Sequence, residues 1–325
     1  MEDFKIICLT PVYNDWESFE ILSQKIIALQ KQIAANIKII AINDGSTEAI
    51  KETILNLPNV EIKNLKTNVG HQRAIGIGLQ YIFNEEQNYN YVVVMDSDGE
   101  DNPNQIKELL EKAIKENNQK IIFAQRKKRT ESLIFKTGYY FYKAIFKFLT
   151  GQTINFGNYS IIPKQLLSKV VHQSNLWNHY SGGIIQAKIP YDKVHLDRGK
   201  RYKGKSKMNF NNLVLHGLSS ISVYFDLLSV RILKFTLYGI ALCLLSVFYI
   251  LYQKLFTDNA IPGWASSLIL IISGIILQLF SVTLIVLLLQ LSTRKNISVP
   301  NTKIYKEFIE GTNSNNLENE YIKYD

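Results

Sequence analysis

The sequence predicts an α/β domain with a mostly parallel, doubly wound sheet, followed by two helices long enough to cross a membrane. Over the first two hundred residues, short apolar runs alternate with segments of helical periodicity. This alternation is typical of parallel sheets covered by helices. Farther along, residues 235–253 and 259–293 contain no charged side chain. A bilayer core requires about 20 apolar residues per helix, so each stretch is long enough for one span.

Five strands and four helices are predicted in the first domain, in alternating order. Each strand is a short apolar run beside turn-forming residues, and each helix has apolar residues three or four positions apart. The predicted strands are Lys5–Thr10, Ile37–Ile42, Val60–Leu65, Tyr91–Met95 and Lys120–Ala124. The predicted helices are Asp15–Ile33, Glu48–Leu55, Gly70–Phe83 and Asn104–Lys115. Beyond them, Gly182 and Gly183 predict a turn.

A membrane-surface helix is predicted between the first domain, residues 1–208, and the spans. Residues 209–230 have apolar side chains at helical spacing with polar side chains between them. This pattern favours an amphipathic helix that lies in the membrane interface. The alternative is a surface helix packed on the first domain.

The two predicted spans, about 233–253 and 266–291, form a hairpin within residues 231–293. The alternative, two buried core helices, would need additional chain to cover them. Lys and Arg residues flank the side that both ends of the hairpin share, whereas the link between the spans holds one Lys set against one Asp. The positive-inside rule then places the first domain, both termini and the tail, residues 294–325, in the cytoplasm.

The formal net charge is +9 at pH 7, and the positive residues are clustered. Lys and Arg are concentrated at 126–129, 198–207 and 231–234, which indicates anionic partners on one surface. A basic run beside a membrane also attracts anionic lipid headgroups, and the two roles are compatible. Cys8 and Cys243 fit neither metal spacing nor a disulfide, so both are predicted to be small core residues.

An acidic cluster directly follows the fourth predicted strand. It reads Asp96-Ser97-Asp98-Gly99-Glu100-Asp101. Ligands of α/β sheets bind at the carboxyl ends of the strands, and carboxylate oxygens suit Mg²⁺ or Mn²⁺, which usually also holds substrate phosphates. The cluster therefore predicts that the protein binds a nucleoside diphosphate through a divalent cation. The alternative is an acidic turn with Asp101 as N-cap ahead of Asn102 and Pro103.

Polar turns follow the first two predicted strands as well. Thr10–Asp15 follows the first strand, and Asn43–Ser46 follows the second. A nucleotide needs a hydrogen-bond acceptor for its base, contacts for its ribose and a metal for its diphosphate, and Asp44, Asp96 and Asp98 can supply these in turn. One such turn alone is ordinary loop chemistry, but three in this order predict a nucleotide site.

Four motifs at these positions carry a family resemblance. They are Pro11-Val12-Tyr13-Asn14, Asn43-Asp44-Gly45-Ser46, Asn68-Val69-Gly70-His71-Gln72 and Asp96-Ser97-Asp98. Together they resemble the inverting nucleotide-sugar glycosyltransferases of the GT-A (Rossmann-like) fold, over roughly residues 4–210. A second set is similar to the polyprenyl-phosphate glycosyltransferases, which include dolichyl-phosphate mannose synthase and the bactoprenol glucosyltransferases. This set consists of Arg126-x-x-Arg129, Asn155-x-Gly157-Asn158 and Arg201-Tyr202-Lys203-Gly204-Lys205-Ser206-Lys207.

The resemblance implies transfer of a sugar from a nucleotide diphosphate, with UDP favoured, to undecaprenyl phosphate at a bacterial inner membrane. The implied nucleotide-sugar-binding residues are Pro11, Tyr13, Asp15, Asp44, Ser46, His71 and Asp96. The implied ligands of Mg²⁺ or Mn²⁺ are Asp98, Glu100 and Asp96. The implied acceptor-phosphate residues are Arg126, Arg129, Arg201, Lys205, Ser206 and Lys207. The implied catalytic residues are Asp98, Asn158, Arg126 and Arg129. Relatives also suggest self-association through the membrane region, and no nucleic-acid partner is implied.

One departure from the resemblance concerns the acceptor side. Relatives usually carry Asp where this chain has Asn155 and Asn158, and Asn cannot accept a proton as a general base. Loss of the base would slow transfer to a hydroxyl acceptor. A phosphate monoester, with a second pKa of about 6, is already largely dianionic at neutral pH and does not need the base.

Two alternatives remain: a polysaccharide synthase that extends a hydroxyl acceptor, and a degenerate domain that binds lipid phosphate or nucleotide as a scaffold. Such synthases usually carry a Gln-x-x-Arg-Trp motif, which this sequence lacks.

Overall fold

The structure, a computed structural model, describes seven stretches of the chain. They are residues 4–33, 35–126, 144–152, 156–203, 217–257, 263–295 and 301–311. The chain divides into two compact units. The first consists of Met1–Thr137, Ile154–Val223 and Pro300–Asp325, and the second of Gly138–Thr153 and Tyr224–Val299.

The first unit is built on a seven-stranded sheet. In chain order the strands are β1 (Phe4–Val12), β2 (Ala35–Asn43), β3 (Val60–Asn64), β4 (Tyr91–Val94), β5 (Ile121–Arg126), β6 (Ser160–Pro163) and β7 (Tyr191–Leu196). Their order across the sheet is β3-β2-β1-β4-β6-β5-β7. β6 pairs antiparallel with β4 and β5, and the other ladders are parallel. The predicted mostly parallel sheet is therefore confirmed.

Helices cover both faces of this sheet. The helices of the described residues include α1 (Trp16–Gln30), α2 (Glu52–Leu55), α3 (His71–Glu85), α4 (Ile106–Lys115), α5 (Lys164–Val171), α6 (Tyr180–Gln186), α7 (Phe225–Phe256), α8 (Trp264–Lys295) and α9 (Tyr305–Phe308). Successive side chains of a strand point to opposite faces. Accordingly, Ile7 and Leu9 of β1 belong to the core that α3 covers, and Ile6 and Cys8 to the core that α1 and α4 cover. Burial raises the pKa of the Cys8 thiol to about 12, as expected for an inert core residue.

The second predicted helix, Glu48–Leu55, is shorter than expected. Only Glu52–Leu55 is helical. The side-chain oxygen of Asn14 accepts the backbone N–H groups of Thr47 and Glu48. These donors are therefore used in a loop, and the helix begins one turn later.

The predicted turn at Gly182 and Gly183 is wrong, because both glycines lie inside α6. A Cβ on Gly183 would lie 3.1 Å from the backbone of Asn175, which belongs to the 3₁₀ turn Ser174–Trp177. Glycine at this position therefore permits close packing of a helix on the preceding turn, without a reversal of the chain.

The second unit contains two helices that are long and apolar enough to cross a membrane. By length and composition, the candidate spans are Phe225–Phe256 and Trp264–Ser292, with mean hydropathy of 2.0 and 2.6. The spans predicted at 233–253 and 266–291 lie within them. Of the predicted surface helix 209–230, residues 217–222 are helical, α7 already begins at Phe225, and the part before 217 lies outside the described residues.

Polar side chains join α7 to α8. The hydroxyl groups of Thr236 and Thr283 are 2.7 Å apart, and Ser229 donates to the side-chain oxygen of Gln290 at 2.7 Å. All four residues are buried, whereas most of the surface of the two helices is apolar and exposed. Hydrogen bonds and close packing hold helices together in lipid, where the hydrophobic effect between them is absent. These contacts therefore suit a hairpin that pairs inside a bilayer.

Candidate active site

The polar turns predicted to bind a nucleotide lie side by side at one edge of the sheet. β1 is flanked by β2 and β4, and because the three strands are parallel, their carboxyl ends meet at the same edge. β5 and β7 end there too, since two antiparallel pairings through β6 restore the strand direction. Arg126, the last residue of β5, is in register with Leu196, the last residue of β7. Open α/β sheets bind ligands at such an edge.

Asn14 ties the turn after β1 to the turn after β2. Its backbone N–H donates to the Ser46 hydroxyl at 2.9 Å, and its side-chain oxygen accepts from Thr47 and Glu48. Asn14 has a φ of 48°, a left-handed conformation that Asn tolerates better than most residues. The two turns are therefore held as one unit, from which the ring of Tyr13 extends with 45% of its surface exposed.

Asp44, the predicted base-binding residue, is held in a cradle of backbone N–H groups. Asp44 is 3% exposed, and its carboxylate accepts the backbone N–H groups of Val69 at 2.7 Å and of Gly70 at 3.0 Å. Burial raises the pKa of this carboxyl, and the two N–H donors oppose the rise. Gly70 has a φ of 90°, which favours glycine, and α3 begins at the next residue. Each carboxylate oxygen retains a second lone pair, so the cradle can still accept a hydrogen bond from a base.

The acidic cluster after β4 is a tight turn organised by its own carboxylates. Asp101 accepts the backbone N–H of Asp96 at 2.9 Å, and Asp98 accepts the backbone N–H of Glu100 at 2.9 Å. Asn102 is the residue that caps the following helical turn. The alternative in which Asp101 is the N-cap is therefore wrong, because Asp101 bonds back toward the strand end.

The loop after β7 is bonded to this acidic turn at two backbone positions. The N–H of Gly199 donates to the carbonyl of Glu100 at 2.8 Å, and the N–H of Tyr202 donates to the carbonyl of Asp98 at 2.9 Å. A Cβ on Gly199 would lie 2.2 Å from the carbonyl oxygen of Gly99, so only glycine permits this approach. The acidic turn and the basic loop therefore form one unit, although they are far apart in the sequence.

Two arginines of this loop face the predicted metal ligands. Arg201 Nη2 lies 3.4 Å from the carboxylate of Asp98 and 3.6 Å from that of Asp15. Arg198 forms an ion pair with Glu100. Burial raises the pKa of Asp98 to about 6, a neighbouring carboxylate adds to the rise, and Arg201 opposes it. Burial therefore disfavours the ionised form of Asp98, even with both arginines beside the acidic turn.

The donor set fits a divalent cation that is bound partly by the substrate. Among the residues that the structure describes, no group of three His, Cys, Asp or Glu side chains is arranged to hold a metal by itself. Mg²⁺ usually takes only one or two carboxylates from the protein and completes its shell with water and substrate phosphates. Asp98 and Glu100 supply two carboxylates, and a bound cation would stabilise the ionised form of Asp98, which burial disfavours.

A chain of polar side chains joins the start of α3 to both Asp96 and Asn158. His71 Nε2 lies 3.2 Å from the Asp96 carboxylate and 3.0 Å from the Asn158 amide nitrogen. Gln72 donates to Asn158 at 3.3 Å and accepts the backbone N–H of Tyr180 at 2.6 Å. Partial burial lowers the pKa of His71, but the nearby carboxylates raise it more, so the net shift is upward. Asn158 is thus fixed beside the acidic turn by two side chains of α3.

The structure brings together the predicted donor and metal residues. Asp96, Glu100 and Asn158 line one cavity of about 70 Å³, together with Arg198. Pro11 is the penultimate residue of β1, which ends at Val12. On the acceptor side, Arg126 is described by its backbone alone, and five predicted residues lie outside the described part of the chain: Arg129, Asn155, Lys205, Ser206 and Lys207.

Sequence reasoning missed three residues that organise the site. Arg198 pairs with Glu100, Gln72 orients Asn158, and Asn14 joins two turns. The sequence contains weak signals for all three. Arg198 opens the basic cluster 198–207, whereas Gln72 and Asn14 lie inside motifs that carry the family resemblance.

Comparisons with known proteins identify a family and several relatives of this chain. Residues 8–171 match the family described as Glycosyl transferase family 2. The chain is 28% identical over 291 residues to "Uncharacterized glycosyltransferase YkcC" of Bacillus subtilis (strain 168), which covers 84% of this chain and 85% of that protein. It is 26% identical over 284 residues to the bactoprenol glucosyl transferase of Shigella phage SfV, which covers 82% of this chain and 87% of that protein.

A solved structure shows the same fold. Glucosyl-3-phosphoglycerate synthase from Mycobacterium tuberculosis, in complex with Mn²⁺, UDP-glucose and phosphoglyceric acid, has a TM-score of 0.53 and 13% sequence identity, over 69% of this chain and 80% of that chain. At this identity the similarity concerns the fold alone, and the predicted GT-A fold is confirmed. The family match spans about half of the chain and contains all three polar turns. The chain therefore belongs to glycosyl transferase family 2.

Proposed function

We propose that this glycosyltransferase transfers a sugar from a nucleotide diphosphate, with UDP-sugars favoured, to a polyprenyl phosphate such as undecaprenyl phosphate. The observation that carries the proposal is the joining of the acidic turn to the basic loop. Carboxylates for a metal–diphosphate and arginines for phosphate groups lie within one hydrogen-bonded unit. The bactoprenol glucosyl transferase relative, matched over most of both chains, supports a lipid phosphate as the acceptor.

The proposed reaction is a single displacement with inversion. An oxygen of the acceptor phosphate attacks the anomeric carbon, the bond from that carbon to the diphosphate oxygen breaks, and its electron pair leaves with the nucleoside diphosphate. Mg²⁺ or Mn²⁺, held by Asp98 and Glu100, would neutralise charge on the departing diphosphate. Arg201, together with Lys205 and Lys207, binds the two phosphate-bearing substrates, because guanidinium groups bind phosphate oxygens in a bidentate manner and ammonium groups bind them as point charges. Orientation of the two anions supplies most of the remaining catalysis.

The location of residues 301–311 supports the proposed topology. They belong to the same compact unit as residues 4–126, so the chain leaves this unit before α7 and returns to it after α8. Two helices that cross a bilayer in succession return the chain to the side from which it started. Because Lys and Arg flank that side, we place the catalytic unit and both termini in the cytoplasm, at the bacterial inner membrane.

The test is a donor screen with detection of a lipid product. Membranes that contain the full chain are incubated with Mn²⁺, undecaprenyl phosphate and a panel of labelled UDP- and GDP-sugars. We expect label to enter the organic phase with one donor and to be released by mild acid, as a sugar linked through a phosphodiester would be. Label that stays in a water-soluble polymer would favour a polysaccharide synthase, and nucleotide binding without turnover would favour a scaffold.

Asn158 provides a second test, which separates a phosphate acceptor from a hydroxyl acceptor. A phosphate acceptor needs no general base because it is already ionised, so Asn158→Asp should not raise kcat and is expected to lower it, since the new carboxylate repels the acceptor. For a hydroxyl acceptor, a restored base would be worth about 10²–10⁴-fold. The measurement is kcat for Asn158→Asp beside the control Asn158→Ala. A rise of tenfold or more in the Asp variant would contradict the phosphate acceptor.

A further inference from the structure

Residues 301–311, which follow α8 in the sequence, pack against α3. Tyr305 is fully buried there, and its ring packs edge-on against Tyr81 at 5.9 Å. Gln80, 1% exposed, uses both ends of its amide on this segment: it donates to the carbonyl of Asn301 at 3.0 Å and accepts the N–H of Tyr305 at 3.3 Å. Asn84 donates to the carbonyl of Thr302 at 2.8 Å. The segment is therefore an integral part of the catalytic unit.

The same segment pairs with the chain at the carboxyl end of β3, which is an edge strand of the sheet. Ile309 forms an antiparallel bridge with Leu65. The N–H of Lys66 donates to the carbonyl of Phe308, and the N–H of Glu310 donates to the carbonyl of Asn64, both at 2.9 Å. An uncovered edge would leave these backbone groups without partners in the protein.

The stretch held in this way leads directly to the Asp44 cradle. On its inner side, the N–H of Leu65 donates to the carbonyl of Asn43, the residue before Asp44, at 2.9 Å. Three residues farther along, Asn68 donates its side-chain amide to the carbonyl of Asp44 at 2.9 Å. The cradle donors Val69 and Gly70 come next. Residues 64–70 therefore run from the segment 301–311 to the proposed base-binding carboxylate without interruption.

We propose that residues 301–311 are a positioning segment for the nucleotide-binding site. They hold residues 64–66 from outside while β2 holds them from inside, and they hold the helix whose first residue, His71, faces Asp96. The role rests on the proposed function, in which Asp44 binds the nucleotide base. It also makes nucleotide binding depend on residues 301–311, which follow the second candidate span in the sequence. A protein truncated before α7 would therefore lack part of its nucleotide-binding site.

The test compares Glu310→Pro with Glu310→Ala in the full chain. The Glu310 side chain is exposed, so the alanine variant keeps the backbone bond to Asn64 and the proline variant removes its donor. Ile309 is extended, with a ψ of 132°, the conformation that a residue before proline prefers. We expect the Kd for UDP with Mn²⁺, measured by calorimetry, to rise about three- to tenfold for the proline variant and to stay within twofold for the alanine variant. At saturating donor, kcat should change less than Kd.

A pair of deletions provides the second measurement. Removal of residues 301–325 is expected to weaken UDP binding at least tenfold, and a synthetic peptide of residues 301–311 should restore it. Removal of residues 312–325 should have no effect. Unchanged UDP affinity in both Glu310→Pro and the longer deletion would overturn the positioning role. A wild-type chain that binds neither UDP nor GDP would instead contradict the proposed function, and with it this role.

Discussion

Replacement of Asp98 by Asn is expected to abolish sugar transfer, with kcat at least about 10³-fold lower at saturating substrates. A bound metal supplies several kcal/mol of charge stabilisation to the transition state, and about 1.4 kcal/mol corresponds to a factor of ten in rate. Asn keeps the size of the side chain and can still accept the Glu100 N–H that organises the turn. It cannot supply the negative charge that a cation requires, so the chemistry should fail while the fold persists.

Two measurements separate this loss from a loss of structure. Transfer of labelled sugar gives kcat, and electron paramagnetic resonance of Mn²⁺ in the presence of UDP gives the metal affinity. The matched control is Asp192→Asn, which makes the same chemical change near the start of β7, at the opposite edge of the sheet, where Asp192 pairs with Lys112 at 2.8 Å. Full activity in Asp98→Asn, or an equal loss in Asp192→Asn, would show that the metal assignment is wrong.

The central strands could be predicted from the sequence because each is an apolar run that ends in a polar turn. Tyr91–Val94 is buried throughout between two neighbours, and such strands need no alternation of polar and apolar residues. β6 and β7 could not be predicted in this way. β6 has only two aliphatic residues, Ile161 and Ile162, between Ser160 and Pro163, and β7 carries Asp192, Lys193 and His195 among its six. Their strand character comes from pairing with β4 and β5, which no local pattern records.

The candidate site likewise contains features that the local sequence predicts and features that depend on contacts between distant segments. The acidic turn and the Asp44 turn could be predicted because strand ends and carboxylates are local features of the sequence. The bonds from Gly199 to Glu100 and from Tyr202 to Asp98 could not, because they join segments that only the sheet brings together. The same holds for the segment around Tyr305, whose composition indicates only a polar tail. Its polar partners Gln80 and Asn84 lie on α3, far away in the sequence.

Arg201 is expected to have opposite effects on the binding of free metal and on the binding of a metal–nucleotide complex. Its guanidinium lies beside the carboxylates of Asp98 and Asp15, where it takes the place of a cation electrostatically. A metal that binds without nucleotide must compete with this charge. When the metal arrives with a diphosphate, the guanidinium can turn to the phosphate oxygens instead, since Arg binds them in a bidentate manner. Arg201 should therefore oppose binding of free metal and favour binding of the metal–nucleotide complex.

Arg201→Ala is accordingly expected to bind Mn²⁺ more tightly than the wild type when nucleotide is absent, by up to about tenfold. The reason is that charges about 4 Å apart near a protein surface interact by a few kcal/mol before solvent competition. The same variant should lose at least about 10²-fold in transfer, the usual cost of removing one donor to a developing negative charge. The control is Lys203→Ala, which removes a positive charge from the same loop. The ammonium group of Lys203 lies 4.0 Å from the carboxylate of Glu17. Weaker Mn²⁺ binding by Arg201→Ala without nucleotide would contradict the competition between Arg201 and free metal. Tighter Mn²⁺ binding together with impaired sugar transfer would show that the Arg201 guanidinium makes metal binding depend on the nucleotide-sugar donor.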